Sequence, residues 1–485
     1  MKGDKFMDSM NHIDENLISQ AEKLRLKESK HKKNLWIKIV AAAACLCLIL
    51  TAVIVVPDYM SNPSGINNSS LFVGMNSYLI TGAVYPKKVG YPSNPEDSDA
   101  YDKWFDARWE MRELAETHRT DGVEFFKKTV SEFLKSDSEN AIYSPLNVYI
   151  ALCVLAETSD GESRQQILDL LGAKSVEEIR ASANALWQIE YKDDSTGKCL
   201  LANSLWLNDS VQFNKSTLQT VADNYYASSF KGDMTDKDFN KARQNWINKQ
   251  TDGILEKSTE NLKFDPQTVM SLVSTINFRA KWQNEFSPSN TYEGVFHSTN
   301  GDTECEYLYK SETMGNYCWG KNFSAVPLAL TESGRMWFIL PDEGTTPHEL
   351  LNSDEVMNML LSYSDYKKTA YPMIELSIPK FDISSDTDLT KKLKKVGVTD
   401  VFDFDKSDFS PLLEENGEIA ITSARHSARV TIDEEGVTAA AFTTLDYAGA
   451  SMPEDKVEFK LDRPFLFVIT GQGNIPLFVG IVNQM

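Results

Sequence analysis

The run from Ile39 to Val56, IVAAAACLCLILTAVIVV, holds no charged residue over 18 positions. As a helix at 1.5 Å per residue it is about 27 Å long, close to the hydrocarbon thickness of a bilayer. Lys23, Arg25, Lys27, Lys30, Lys32, Lys33 and Lys38 precede it with only Glu28 among them, and Asp58 follows it. The positive-inside rule then puts residues 1–34 in the cytoplasm and everything after Pro57 outside. Three structures suit such a run. A cleaved signal peptide needs a small-x-small site at the end of a shorter stretch, and Val55-Val56-Pro57-Asp58 offers none. A buried core helix does not account for the basic cluster beside it. An uncleaved signal anchor over residues 35–56 is the expectation.

Residues 57–116 have a different composition. Ser61-Asn62-Pro63-Ser64-Gly65 and Asn67-Asn68-Ser69-Ser70 are turn and linker chemistry, and Tyr85-Pro86 and Tyr91-Pro92 favour extended backbone. A short amphipathic stretch follows from Trp104 to Leu114. This segment is read as an extracellular extension that spaces the outer domain, residues 117–485, from the membrane.

The chain carries 70 Asp+Glu against 49 Lys+Arg, a formal charge of −21. Nucleic-acid binders need a basic stripe, so that class is excluded. Six Cys in 485 residues make no disulfide framework, and no CxxC pair marks a zinc or redox site. Cys153, Cys199, Cys305 and Cys318 read as small buried apolar residues, and a Cys305–Cys318 bridge, which nothing supports, is the alternative. No HExxH, P-loop, GxSxG or GxGxxG occurs, so no enzyme, metal or cofactor is expected. Asp403-Phe404-Asp405-Lys406-Ser407-Asp408 lacks the glycine and closing glutamate of a calcium loop and reads as an exposed acidic turn.

Beyond residue 117, helix and strand patterns mix without a strict βαβ rhythm, which makes the class α+β. Val123–Leu134 has helical spacing, and Ser144-Pro145 opens a helix that Gly161 is expected to end. Strands are expected at Ala202–Leu207, Ser271–Phe278, Arg335–Leu340, Ile374–Ile378, Arg429–Ile432, Val457–Phe459 and Phe465–Thr470. One stretch is unusual. Asp433-Glu434-Glu435-Gly436 leads into Val437-Thr438-Ala439-Ala440-Ala441-Phe442-Thr443-Thr444, then a polar loop to Pro453. Loops beyond about 12–15 residues in compact domains are usually functional.

Here the sequence resembles the serpin family, over about residues 117–485. The hinge signature is Glu434-Glu435-Gly436 with Ala439-Ala440-Ala441 and Thr443. It is joined in order by Asn140–Pro145, Asn203-Ser204-Leu205-Trp206, Asn277–Trp282, Ile378-Pro379-Lys380-Phe381, Asp408-Phe409-Ser410, His426 and Arg463–Phe467. The resemblance implies a large central mixed β-sheet, further sheets, about nine helices and an exposed reactive loop near the C-terminus. It also implies a monomeric inhibitor of serine proteases that works by loop insertion. The protease attacks a bait bond, forms an acyl-enzyme, and is carried off as the freed loop becomes a new strand of the main sheet. Counting from Gly436 in the family's register, the bait is Ala450-Ser451.

A strand from Val437 would turn Val437, Ala439, Ala441 and Thr443 toward the core, all small or medium-sized and uncharged. Val437 to Ala450 is 14 residues, about 46 Å when extended. Two residues depart from the family's usual small polar or small ones, Val437 and Phe442. Both bear on insertion speed, and neither is the charge or proline that would forbid it. Where the main sheet opens, Ser144 and His426 match the family, but Asn147 and Ser274 look exchanged, with Trp282 as a core aromatic beneath the start of insertion. The small, uncharged bait favours elastase-like or subtilisin-like proteases over trypsin-like ones, and Tyr447 offers a chymotrypsin-like second site. Rival readings are a non-inhibitory serpin serving as a binding or chaperone-like module, an anchored hydrolase and an anti-sigma-like signalling protein. A single span with a disulfide-poor exterior suits a Gram-positive-like cell surface.

Overall fold

A computed structural model describes residues 75–485 apart from 93, 95, 96, 135–137, 195, 196, 261, 332, 333, 416 and 438–454, and apart from the side chains of 257, 258, 312, 313 and 473. The expected anchor at 35–56 lies outside the described residues, as do most of the reactive loop and its Ala450-Ser451 bond. No helix among the described residues is long and apolar enough to cross a membrane.

The described residues form three sheets, of eight, seven and four strands, with helices around them. The largest is built from β1 (Leu79–Thr81), β2 (Lys192–Asp194), β3 (Gly197–Asn208), β4 (Ala227–Gly232), β5 (Met270–Lys281), β6 (Phe381–Asp388), β7 (Ile421–Ile432) and β8 (Gly436–Val437). Its order is β1-β4-β3-β5-β8-β7-β6, and β2 pairs with β3. Parallel pairs (β3 with β4, β5 with β7) and antiparallel pairs (β3 with β5, β6 with β7) make it a mixed sheet. The expected α+β class holds. Each expected strand lies within an observed one, and Phe465–Thr470 has those limits.

Apolar runs explain the core. Helix α2 (Pro145–Thr158) starts at its Ser144 cap, whose hydroxyl accepts the Asn147 amide, and all its residues are buried. Such a helix, apolar on every side, belongs inside a large domain. The ring of Phe278 on β5 meets Phe478 of strand Pro476–Val482 at 5.7 Å, joining the eight-stranded sheet to the seven-stranded one.

Two local expectations need correction. The boundary drawn at residue 116/117 falls inside one continuous helix, α1 (Ser98–Phe133), which Asp97 caps. The polar stretch His118–Asp121 interrupts the apolar pattern but still fits a helix. Upstream residues also belong to the body. β1 pairs with β4 (Leu79↔Phe230), the Tyr78 carbonyl accepts Lys231 N–H at 2.8 Å, and the Tyr78 hydroxyl donates to Asp236 at 3.0 Å. Tyr85 stacks on Trp187 at 5.4 Å and lies near Tyr191 and Tyr226. Residues 75–116 are therefore packed structure, and linker composition here marks a surface strap. The variant Tyr85→Ala is expected to cost about 2–3 kcal/mol in guanidinium unfolding, whereas a free spacer residue would cost less than about 0.5 kcal/mol.

Second, Gly161 does not end α2. The helix stops at Thr158, where the Thr158 and Ser159 hydroxyls bond back to its last carbonyls, and Gly161, at φ +53°, opens the next helix behind its Asp160 cap. Cys305 and Cys318 are both free and lie in different sheets, Cys318 buried and Cys305 half-buried, so the reading as small packed residues stands and the alternative bridge is absent.

Candidate functional site

The site is the middle of the eight-stranded sheet. β5 and β7 pair in parallel from Met270/Ile421 to Thr275/Ser427, and there their ladder stops. At the far end β8 sits between them, with Val437 paired to both Ala280 and Ile432. His426 faces Ser274, and Ile432 and Ala280 lie six residues further along each strand. The two strands thus stay in one register across residues 276–279 and 428–431, and a strand continuing from β8 finds both neighbours in phase.

The hinge is tied down by backbone and carboxylate. Asp433 Oδ1 accepts from the amides of Glu435 and Gly436, both at 3.0 Å. Trp282 donates its amide to the Glu435 carbonyl at 3.0 Å and its indole N–H to the Asp433 carbonyl at 2.9 Å. Trp282 is buried beside Phe286 and Phe338, so it clasps the turn from below. Glu434 Oε1 accepts from the Thr291 hydroxyl at 2.7 Å and from Lys380 at 3.2 Å; Lys380 also pairs with Glu306. Burial pushes the Glu434 carboxyl up, but the Thr291 hydroxyl and Lys380 outweigh it and hold the group below its ordinary value.

Gly436 has no room for a side chain, because a Cβ would meet the Ala280 carbonyl oxygen and come within 2.7 Å of Lys281 Cα. Val437 is fully buried, the inward direction that alternation assigns it. Thr438, Ala439, Ala440, Ala441, Phe442 and Thr443 lie outside the described residues, as do Ala450 and Ser451.

Ser144, Asn147, Ser274 and His426 come together where β5 and β7 still pair. Ser144 N–H donates to His426 Nε2 at 3.0 Å, which leaves the proton of the neutral ring on Nδ1. Asn203 on β3 donates to Asn147 Oδ1 at 3.5 Å, and Ser274 lies between Asn203 and His426 in register. The expected exchange of Asn147 and Ser274 does not give a closed network. Among the described residues, Ser274 Oγ, Asn147 Nδ2, Asn203 Oδ1 and His426 Nδ1 have no hydrogen-bond partner. A serine hydroxyl reaches less far than an amide. Buried polar atoms left unmet cost about 1–3 kcal/mol each, which weakens the sheet at this level.

Burial pushes the His426 pKa down from 6.5 to about 4. On acidification the unfolded chain takes up this proton before the folded one. The stabilisation is complete above pH 6.5 and is lost as pH falls toward 4, a change of about 3 kcal/mol. Guanidinium unfolding at pH 7 and pH 4 is expected to show that loss in the natural chain and not in His426→Gln.

Sequence reasoning did not assign roles to Asn203, Thr291 and Lys380. Asn203 had a signal, since it is an amide within the apolar run Leu200–Leu207. Thr291 and Lys380 had none, because they reach Glu434 from distant parts of the chain.

The geometry is thus a mixed sheet whose two central strands, β5 and β7, stop pairing at Thr275 and Ser427 and hold β8 between them at the far end. A family model, Serpin (serine protease inhibitor), matches residues 122–485, and the chain belongs to the serpin family. It is 28% identical over 358 residues to Alpha-1-antitrypsin 1-2 of Mus musculus, covering 72% of this chain and 84% of that protein. Among solved structures, native Tengpin, a thermophilic serpin, superposes with a TM-score of 0.67 at 24% identity, covering 85% of this chain and 98% of Tengpin. Thyroxine-binding globulin in complex with thyroxine gives a TM-score of 0.65 at 22% identity, covering 76% and 98%. These two likenesses are of fold.

Proposed function

We propose that this chain is a suicide inhibitor of elastase-like or subtilisin-like serine proteases, cleaved at Ala450-Ser451. The observation that carries the reading is β8, seated between two strands that keep one register beyond it. The protease serine attacks the Ala450 carbonyl, the Ala450–Ser451 bond breaks, and the new Ser451 amine leaves with a proton. Ala450 stays esterified to the enzyme. The segment from Gly436 then extends β8 between β5 and β7, carrying the acyl-enzyme along before water can release it. The inward positions are uncharged, and small from Ala439 to Thr443, with Leu445 and Tyr447 larger beyond them, which would let the strand enter without burying a charge.

The full chain mixed with pancreatic elastase, subtilisin, trypsin and chymotrypsin, followed by denaturing gels and mass spectrometry, tests this. A denaturant-resistant one-to-one adduct with elastase or subtilisin through Ala450 is expected. Cleavage after Ala450 without adduct would favour the non-inhibitory binding module. An adduct with chymotrypsin alone would move the bait to Tyr447. The run at 35–56 supports a further element of the reading, an anchor that holds the inhibitor outside the cell membrane. Protease added to intact cells would then release the inhibitor domain, and protection of the domain would reverse that orientation.

A further inference from the structure

The family match begins at residue 122, and packed structure ahead of it helps to enclose a cavity of about 580 Å³. The strap at Tyr85–Gly90 and the N-terminal half of α1, from Trp104 to Met111, supply part of the lining. The rest comes from the end of the helix Val176–Glu190, from β2 and β3, from Phe278 of β5 and from Gln472. Four aromatic rings line it, those of Tyr85, Trp104, Tyr191 and Phe278. Other rings hold them in place. Tyr91 meets Trp104 edge-on at 5.0 Å, and Trp187 stacks on Tyr191 at 4.5 Å and on Tyr85 at 5.4 Å. A cleft of this volume with aromatic walls and a few fixed polar groups is the usual form of a small-molecule site.

The polar groups that matter are Glu190 and Gln472. Glu190 ends its helix and is 5% exposed. Its Oε2 accepts the Gln472 amide at 3.4 Å, and its carboxyl packs against Gly471, where a Cβ would have no room. Glu190 Oε1 has no hydrogen-bond partner among the described residues, and neither has Gln472 Oε1. Nearly all buried polar atoms are paired, so two such atoms on residues that line one cavity point to a ligand there. Burial, opposed by the Gln472 amide and Lys88, pushes the Glu190 carboxyl up to about 8, so the group keeps its proton at neutral pH. With Oε2 accepting an N–H, that proton falls to Oε1. The two residues then offer one donor, Glu190 Oε1–H, and one acceptor, Gln472 Oε1.

Charge narrows the choice of ligand. Lys88 lies 5.9 Å from the centre of the Tyr191 ring and 3.8 Å from Met111 Sδ, and a cationic head group would face its ammonium. A carboxylate head has no donor and would leave Gln472 Oε1 unmet. The other charges of the lining are mixed in sign, Lys87, Arg108 and Lys192 against Glu110, Asp193 and Asp194. A neutral group with a donor and an acceptor on one edge suits the pair, and a primary carboxamide is the simplest.

We propose that this cavity binds a small uncharged aromatic carboxamide. The amide carbonyl accepts from Glu190, the amide N–H donates to Gln472, and the ring lies among Tyr85, Trp104, Tyr191 and Phe278. The inference does not depend on the protease or on loop insertion. Because the strap supplies part of the lining, the ligand ties the strap to the inhibitor domain and raises the melting temperature of the chain.

The test is calorimetric titration of the full chain with 2-naphthamide, for which one site is expected. N,N-dimethyl-2-naphthamide keeps the ring and carbonyl but has no N–H, and should bind about tenfold more weakly. Gln472→Met and Glu190→Met should each weaken 2-naphthamide by about tenfold, whereas Glu190→Gln, a neutral group that still donates and accepts, should stay within about threefold. If Glu190→Met does not fold, Gln472→Met, on a half-exposed turn, carries the comparison. Absence of binding would mean that Glu190 and Gln472 are met by each other or by water, and would overturn the site. Equal binding of the two amides, or unchanged affinity in Gln472→Met, would overturn the assigned hydrogen bonds. Tighter binding of 2-naphthoate than of 2-naphthamide would make this an anion site governed by Lys88 and overturn the ligand class.

Discussion

Replacing Ala441 with glutamate is expected to convert the inhibitor into a substrate. Counting from Val437, which pairs with Ala280 and Ile432, residue 441 falls between Ile276 and Ala428, both buried. A carboxylate driven there has no partner, and such burial costs about 3–5 kcal/mol. If that cost falls on the insertion step, insertion slows by about 10²–10⁴-fold and the acyl-enzyme is hydrolysed first. The measurement is the ratio of adduct to cleaved inhibitor with elastase or subtilisin. Ala440→Glu is the control, since residue 440 falls between Asn277 and Arg429 on the opposite face, where Arg279 also lies. It should keep adduct formation within about threefold of the natural chain. Equal damage from both variants would mean that the loop does not enter in the register of β8.

The second large effect is at Gly436. Its neighbours across the ladder leave no space for a Cβ, and the obstructing atoms are backbone, which cannot rotate away. Gly436→Val should therefore unseat β8, expose Val437 and cost about 3 kcal/mol of native stability. Adduct formation should fall about a hundredfold, because the first pairs of the new strand must then form against a clash. Gly436→Ala separates two explanations. If space is what matters, alanine does most of the damage that valine does. If backbone freedom is what matters, alanine is mild. Guanidinium midpoints of the uncleaved variants and their adduct yields decide between the two.

Strands with a strong apolar pattern were legible in the sequence because their pattern is local. Phe465–Thr470 is buried throughout and bounded by turn residues, so both of its ends could be read. The hinge was legible for another reason: a charged turn followed by small uncharged residues is rare. What could not be read depends on contacts between distant residues. Nothing near Lys380 says that it meets Glu434, and nothing near Tyr85 says that Trp187 awaits it. The expected boundary at 116 failed because a polar stretch inside a helix looks the same as a gap between two helices.

The placement of β1 bears on how the large sheet is shielded from pairing with another molecule. A sheet edge with free N–H and C=O groups is a template for another chain, and a protein selected to take up strands is exposed to that hazard. At one border β1 lies along β4 and occupies its outer groups. At the other border lies β6, whose Asp382 and Asp386 are paired with Arg429 and Arg425 of β7. With one margin filled by β1, the proposed insertion would let the sheet grow at its centre, where the strand on offer is its own.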